Sequence, residues 1–158
     1  MITIVDVQPH HLDRMHEWEM NEALQVKTGI EKPRSYEKFI DSYHSYLRGE
    51  KPRLMIKVIE EDGKAVGKVE LYQSPKDAFI GMVIAERQRQ GIGAKALELF
   101  LRDIKEKLGL HSVCAEVYED NPDSLRFFER NQFKRTGDVT VEMFRGYERR
   151  LIVLNRIL

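Results

Sequence analysis

The chain has 158 residues, 42% of them hydrophobic, and its 26 basic and 26 acidic side chains give a formal net charge of zero. This length and composition predict a single globular domain over residues 1–158, and the balanced charge excludes a global field that would attract nucleic acid or an anionic membrane. One cysteine, Cys114, cannot form an intrachain disulfide, and the sequence has neither a signal-peptide pattern nor a long apolar run. We therefore expect a cytoplasmic protein.

A strand and a helix are predicted at the start of the chain. Residues 2–7 alternate apolar and polar side chains, which is the period of a half-buried strand. Pro9 suits the first turn of a helix, where a backbone N–H is not needed. The apolar candidates for the packed face of this helix are Leu12, Met15, Trp18 and Met20. A solvated acidic face is predicted for Asp13, Glu17, Glu19 and Glu22.

A second helix and a hairpin follow. Ser35 is the predicted N-cap of the helix, and Glu37 lies within its first turn. Residues 54–59 and 65–72 predict two strands, joined by the polar, glycine-containing turn at 61–64.

The second half of the chain begins with an apolar strand at 79–84. A long amphipathic helix follows and ends at Gly109, with its apolar positions at Leu97, Phe100, Leu101, Ile104 and Leu108. Residues 111–118 predict a strand, and Asn121 and Pro122 start another helix that ends near Asn131. Two strands, at about 138–144 and 149–157, complete a mixed α/β domain around one sheet.

The loop at 88–93 carries the strongest chemical signal. Its sequence is Gln-Arg-Gln-Gly-Ile-Gly, and it connects the apolar strand to the long helix. Glycines at 91 and 93 leave backbone N–H groups accessible at a helix N-terminus, where the helix dipole favours an anion. Arg87 and Arg89 add positive charge beside them. The loop therefore predicts a site for a diphosphate.

Two motifs make the sequence resemble the GNAT N-acetyltransferase superfamily. The loop matches its Q/R-x-x-G-x-G/A signature, and the segment from Asn121 to Ser124, followed by 127–133, resembles its second signature. Gly146 and Tyr147, before an apolar strand, resemble the ribosomal-protein alanine acetyltransferase branch. The resemblance implies one GNAT-like domain, with a central, mostly antiparallel sheet of about six to seven strands flanked by about four helices.

The resemblance also implies an acetyl-CoA site. No metal is predicted, because the histidines at 10, 11, 16, 44 and 111 lack clear metal-ligand spacing with acidic partners. The pantetheine arm would pair with the backbone of Met82, Val83 and Ile84, and Asn121 and Arg130 would make further contacts. The diphosphate would lie on the N–H groups of residues 89–94, namely Arg89, Gln90, Gly91, Ile92, Gly93 and Ala94. The acceptor would be a primary amine, either a small molecule or a protein N-terminus, and the family analogy suggests a homodimer.

Acetyl transfer to an amine requires a base, because a primary amine is mostly protonated at neutral pH. By the family pattern Glu116 is the first candidate for this base and Glu70, on the neighbouring hairpin, is the second. The tyrosine that usually acts as general acid, seven residues after Asn121, is replaced by Phe128. Trp18, Tyr43 and Tyr46 are candidates for the acceptor pocket.

Other interpretations compete with this one. Gly91 and Gly93 could form a plain turn, and residues 91–96 also fit a dinucleotide fingerprint, although six mostly polar residues separate the apolar strand from Gly91. The missing tyrosine at Phe128 favours an acyl-CoA sensor with little activity. Cys114 is expected to be a small buried residue and not a nucleophile.

Overall fold

The protein is described by a computed structural model that covers residues 1–86 and 91–158. The strands are β1 (Ile2–Asp6), β2 (Leu54–Glu61), β3 (Lys64–Gln73), β4 (Ala78–Ile84), β5 (Ser112–Tyr118), β6 (Lys134–Phe144) and β7 (Tyr147–Ile157). The helices are α1 (Leu12–Glu19), α2 (Glu22–Thr28), α3 (Tyr36–Leu47), α4 (Ile92–Leu108) and α5 (Pro122–Arg130), and a 3-10 turn spans Pro9–His11. No helix in these ranges is both long and apolar enough to cross a membrane.

All seven strands lie in one sheet, in the order β1-β2-β3-β4-β5-β7-β6. Every neighbouring pair is antiparallel except β4 and β5, which are parallel. The single parallel pair is joined through α4, as a crossover between parallel strands requires. The predicted mixed α/β fold with a mostly antiparallel sheet is confirmed.

The two faces of the sheet bury two separate hydrophobic clusters. The larger cluster packs α4 and α5 on one face, with Phe100, Leu97 and Ile104 fully buried. The smaller cluster packs α1 and α3 on the other face, around Phe39 and Val58. Each buried side chain of this size contributes about 1.5–3 kcal/mol of transfer free energy. The packing of these helices against the sheet fixes their positions on its two faces.

The prediction missed one helix and the start of one strand. α2 is a seven-residue helix, capped at its start by the side chain of Asn21 and ended by Gly29 at φ +76°. It is too short to show an apolar period, so only its caps mark it in the sequence. β6 begins at Lys134, earlier than the predicted start at about 138. Its pairing with β7 is irregular between Arg135 and Val139.

Two predictions for the first helix were wrong. Met20 was expected to be apolar core, but it follows the last residue of α1 and is exposed. Glu19 was expected on a solvated face, but it is buried. The burial of Glu19 has a specific cause, which is its pairing with Arg34.

Candidate active site

The sheet opens between its two parallel strands. All of β4 is paired with β3, and all of β5 is paired with β7. By contrast, the ladder between β4 and β5 in the described residues consists of the single pair Phe79 and Cys114. Beyond that pair the ladder stops before it reaches Met82–Ile84 on β4 and Glu116–Tyr118 on β5. The result is a gap in the sheet, closed at Phe79 and open toward α4 and α5.

A cavity of about 870 Å³ lies along this gap. On the other side it is bounded by α1, α2 and α3 and by the segment between α2 and α3. The lining includes, from the helical side, Trp18, Glu19, Arg34, Tyr43 and Tyr46, and, from the sheet, Lys68, Glu70, Gly81, Met82, Val83, Glu116, Tyr118 and Glu142. The three aromatic residues predicted for an acceptor pocket therefore line the same cavity as the two candidate bases.

The predicted anion site lies at the start of α4. Gly91 is the N-cap residue with φ +75°, a conformation that a side chain with a β-carbon adopts only with strain. A β-carbon at Gly93 would approach Phe127 Cε1 to 3.0 Å, so a side chain there would require the Phe127 ring on α5 to shift by a few tenths of an ångström. Ile92, Gly93 and Ala94 form the first turn, whose N–H groups have no acceptor within the helix. Arg89 and Gln90 lie outside the described residues.

The two other predicted contacts of the donor lie at opposite ends of α5. Asn121 is the N-cap of the helix, where its Oδ1 accepts a hydrogen bond from the Ser124 N–H at 3.4 Å, and it lines the cavity. Arg130 is the last residue of α5, is exposed, and does not belong to the cavity lining. The structure therefore brings Asn121 into the site and leaves Arg130 at its periphery.

The two candidate bases lie on the same face of the sheet, one on each side of the gap. Glu70 is on β3, and a β-carbon on Gly81 of β4 would lie 3.7 Å from its Cγ, so its side chain covers this glycine. Glu116 is on β5 and is exposed; its Oε2 accepts a 3.4 Å hydrogen bond from the Thr140 hydroxyl. Both carboxylates line the cavity.

Their electrostatic surroundings differ. Glu70 Oε2 lies 3.7 Å from the Nζ atom of Lys68, which also donates a 3.4 Å hydrogen bond to the Tyr43 hydroxyl. Burial would lower the pKa of Lys68, but the charge of Glu70 and the contact with Tyr43 outweigh it and raise that pKa. Lys68 is therefore a permanent cation that neutralises Glu70. Glu116 faces a hydroxyl instead.

The position of the missing general acid is occupied by a buried ring. Phe128 lines the cavity and packs edge-to-face against Phe127 and Phe133. The nearby phenol on β5, Tyr118, donates its hydroxyl hydrogen to Glu142. Burial and this hydrogen bond raise the pKa of Tyr118, which makes it a weak proton donor.

An ion pair between buried Glu19 and partly exposed Arg34 stiffens the helical wall of the cavity. Arg34 donates from Nε and Nη2 to the two oxygens of Glu19, at 3.0 and 2.6 Å, and its backbone N–H donates to the same carboxylate at 2.9 Å. Burial raises the pKa of the Glu19 carboxyl, but these bonds and the charge of Arg34 dominate and lower it. The pair ties the end of α1 to the segment before α3.

A second contact joins this wall to the donor side. The indole N–H of Trp18 donates to Glu86 Oε2 at 3.2 Å, and Arg14 donates to Oε1 of the same carboxylate at 2.9 Å. Glu86 follows β4 and directly precedes the residues that lead to Gly91. α1 is thus anchored to the residue that follows β4 and precedes the loop at 88–93.

A cluster of His10, His11 and Glu60 lies away from the cavity and offers metal-ligand atoms within 4.8 Å of one another. His11 Nδ1 accepts the Gln8 N–H at 3.0 Å, so the neutral ring carries its proton on Nε2. That nitrogen lies 3.0 Å from Glu60 Oε2 and donates to it. Both ring nitrogens of His11 are therefore satisfied without a metal.

Sequence reasoning identified residues of β4 and β5 beside the gap, but it missed most of the charged residues that line the cavity. Met82, Val83, Glu70, Glu116 and Asn121, which the sequence assigns to the site, all line one cavity, and their roles stay predictions. The missed lining residues include Arg34, Lys68 and Glu142. Lys68 had a local signal, since it is two residues from Glu70 on a strand and must share its face. Arg34 and Glu142 had none, because their partners are distant in sequence.

Comparison with known proteins identifies the family. Residues 2–134 match the family described as Acetyltransferase (GNAT) domain. The chain is 26% identical over 161 residues to an N-acetyltransferase 9-like protein of Caenorhabditis briggsae, with 89% of this chain and 81% of the relative covered.

Solved structures share the fold. A spermidine N-acetyltransferase from Vibrio cholerae, in complex with CoA and spermine, superimposes with a TM-score of 0.87 at 21% identity, over 99% of this chain and 95% of that one. An acetyl transferase from Salmonella typhimurium that modifies the N-terminal serine of ribosomal protein L7/L12 superimposes with a TM-score of 0.84 at 18% identity, over 99% and 95%. At these identities the likeness concerns the fold.

Proposed function

The chain belongs to the GNAT acetyltransferase family, and on that premise we propose that the gap between β4 and β5 holds acetyl-CoA while the adjoining cavity holds the acceptor amine. The protein is an acetyl-CoA-dependent N-acetyltransferase. The observation that carries the proposed site is the single-pair ladder between β4 and β5, because it leaves room for an extended arm along strands that are otherwise fully paired.

Acetyl-CoA supplies an acetyl group activated as a thioester, and this chain supplies its binding groups. The backbone of Met82, Val83 and Ile84 borders the gap on the β4 side and would pair with the pantetheine arm. The diphosphate would accept hydrogen bonds from the first turn of α4 and from Arg89 and Gln90 in the same loop. Asn121 would bind from the start of α5, and Arg130 would make only a peripheral contact.

Glu116 is the residue we assign as the base that removes a proton from the attacking amine. Its carboxylate is exposed to the cavity and has a hydroxyl as its partner, so its negative charge is not neutralised. Glu70 is paired with the ammonium group of Lys68, which competes with the substrate amine for this carboxylate. This difference supports Glu116 over Glu70. The hydroxyl of Tyr118 donates to Glu142, and we therefore assign protonation of the departing thiolate to solvent.

For the acceptor we propose a single primary amine such as a protein N-terminus. Five acidic side chains of the described residues line the cavity: Glu19, Glu31, Glu70, Glu116 and Glu142. Five basic ones oppose them: Lys27, Lys32, Arg34, Lys51 and Lys68. Balanced charge disfavours a polyamine, whose several cations would each need an unpaired carboxylate. The fold is compatible with either class, because the two solved relatives act on spermidine and on a protein N-terminus.

The test is thiol release from acetyl-CoA with a serine-initiated peptide and with spermidine, together with calorimetry of CoA binding. We expect CoA to bind and the peptide to give the higher kcat/KM. Tight CoA binding without thiol release from either amine would support the sensor function and contradict this proposal. Faster turnover of spermidine would overturn the acceptor class alone.

A further inference from the structure

The tip of the β6–β7 hairpin reaches across to the helical wall of the cavity. Arg145, in the turn between the two strands, donates from Nε to the Glu31 carbonyl at 3.0 Å. Its Nη2 donates to the Ile30 carbonyl at 3.1 Å and to Gln25 Oε1 at 2.9 Å. This guanidinium thus holds α2 and the segment after it, together with Arg149 of β7, whose Nη1 donates to the Val26 carbonyl at 2.6 Å.

The turn geometry presents Arg145 for this contact. Arg145 and Gly146 both have positive φ, at +50° and +88°, which reverses the chain tightly and projects the hairpin tip. The guanidinium also lies over the ring of Phe144, with 4.8 Å between Cζ and the ring centroid. This stacking restricts the side chain and lowers the entropy lost in holding it.

The contact extends into the wall through Gln25. This buried side chain donates from Nε2 to the Glu19 carbonyl at 2.9 Å. Glu19 is in turn the partner of Arg34. Ile30, Glu31, Glu19 and Arg34 all line the cavity. Arg145 itself is exposed and outside the lining, so it acts on the cavity only through the segment that it holds.

We propose that Arg145 is a positioning residue that fixes residues 25–31 as the acceptor wall and so sets the affinity for the amine. The proposal rests on the proposed function, because it presumes that this cavity binds the acceptor. The Arg145 guanidinium makes charge-assisted hydrogen bonds to the carbonyls of Ile30 and Glu31 and to the side-chain amide of Gln25. A neutral side chain at position 145 can make only weaker ones. Loss of the charge-assisted bonds loosens the wall while the gap between β4 and β5 keeps its own contacts.

The test compares Arg145→Gln with Arg150→Gln. Arg150 is an exposed arginine on the same hairpin, but it pairs with Glu119 at 3.1 Å and not with the wall. In Arg145→Gln we expect amide hydrogen exchange of residues 22–34 to accelerate about tenfold, and KM for the serine-initiated peptide to rise about tenfold with the CoA Kd unchanged. Arg150→Gln should match the wild type in all three quantities, and Arg145→Lys should recover part of the effect.

The outcomes separate this inference from the proposed function. Unchanged exchange of residues 22–34 in Arg145→Gln would overturn the contact, and faster exchange with an unchanged KM for both the peptide and spermidine would overturn the positioning role. Failure of the wild type to release thiol with either amine would overturn the proposed function, and the positioning role with it. The exchange result would then still report on the contact.

Discussion

Glu70 and Lys68 form an ion pair on the cavity face of β3, with 3.7 Å between Oε2 and Nζ. The pair changes the balance between two carboxylates that the sequence presents as alternatives. Because Glu70 is held beside the Lys68 ammonium group, it is less free to contact an incoming amine than a carboxylate whose partner is a hydroxyl. Glu116, whose partner is Thr140, keeps its charge available.

Glu116→Gln should lower kcat by about 100-fold near pH 7, because the amide cannot take a proton from the amine. The deficit should shrink at high pH, where free amine is abundant. The measurement is a pH–rate profile of thiol release, with CoA affinity followed by calorimetry. Glu70→Gln is the matched control and should lose less activity at every pH. A larger loss in Glu70→Gln would reverse the assignment.

Gly91→Val should weaken CoA binding by about tenfold or more, because valine is strained at φ +75° and would distort the loop that precedes α4. Gly109→Val is the control, since Gly109 has φ +65° at the other end of α4 and open space around it. Both variants should lose stability, but only Gly91→Val should lose CoA affinity in calorimetry. Equal CoA affinity in the two variants would remove Gly91 from the site.

Phe128→Tyr should raise kcat if proton donation to the departing thiolate limits turnover. The ring already lines the cavity, so the added hydroxyl is introduced at the wall and not in the centre of the core. Phe127→Tyr is the control, because Phe127 is outside the cavity lining and packs against Gly93. Single-turnover rates of both variants would decide the point, and no gain in Phe128→Tyr would mean that protonation by solvent is sufficient.

Glu19→Gln should lower the free energy of unfolding by about 2 kcal/mol at pH 7, since it leaves Arg34 without its charged partner. The folded-state pKa of Glu19 lies below its usual 4.5, so the pair stabilises the protein above that pH and loses its effect as the pH falls through the folded value. Urea unfolding at several pH values should therefore show the two proteins converging in acid.

The control for this prediction is Glu17→Gln on the same helix. Glu17 is exposed and lies 4.0 Å from Arg14, which is the geometry of a weak surface pair. Its unfolding free energy should stay within about 0.5 kcal/mol of the wild type across the range. If the free energy of unfolding of Glu19→Gln stays below that of the wild type in acid, the lost stability is not electrostatic.

Local patterns in the sequence predicted the helix starts that border the proposed donor site. Gly91 and Asn121 each lie at a helix start, and each works through the few residues that follow it. The apolar period of α4 is equally local. For these features the sequence neighbours are also the spatial neighbours, so pattern and structure agree.

The acceptor side depends on contacts that no local pattern carries. Arg34 pairs with Glu19 from 15 residues away, and Arg145 reaches Gln25 from 120 residues away. In the sequence Glu19 belongs to an acidic, solvated helix face, but in the structure it is buried and paired with Arg34. α2 has too few residues for an apolar period. The residues proposed to shape the acceptor wall therefore come together only when the chain is folded.

The central claim is that the opening between β4 and β5 is the acetyl-CoA site, and a crystal structure with bound CoA tests it most directly. We predict that the pantetheine arm runs beside the backbone of Met82–Ile84, that the diphosphate contacts the N–H groups at Gly91–Ala94, and that the sulfur faces the cavity containing Glu116. CoA bound elsewhere on the protein, with this gap left empty, would contradict the account.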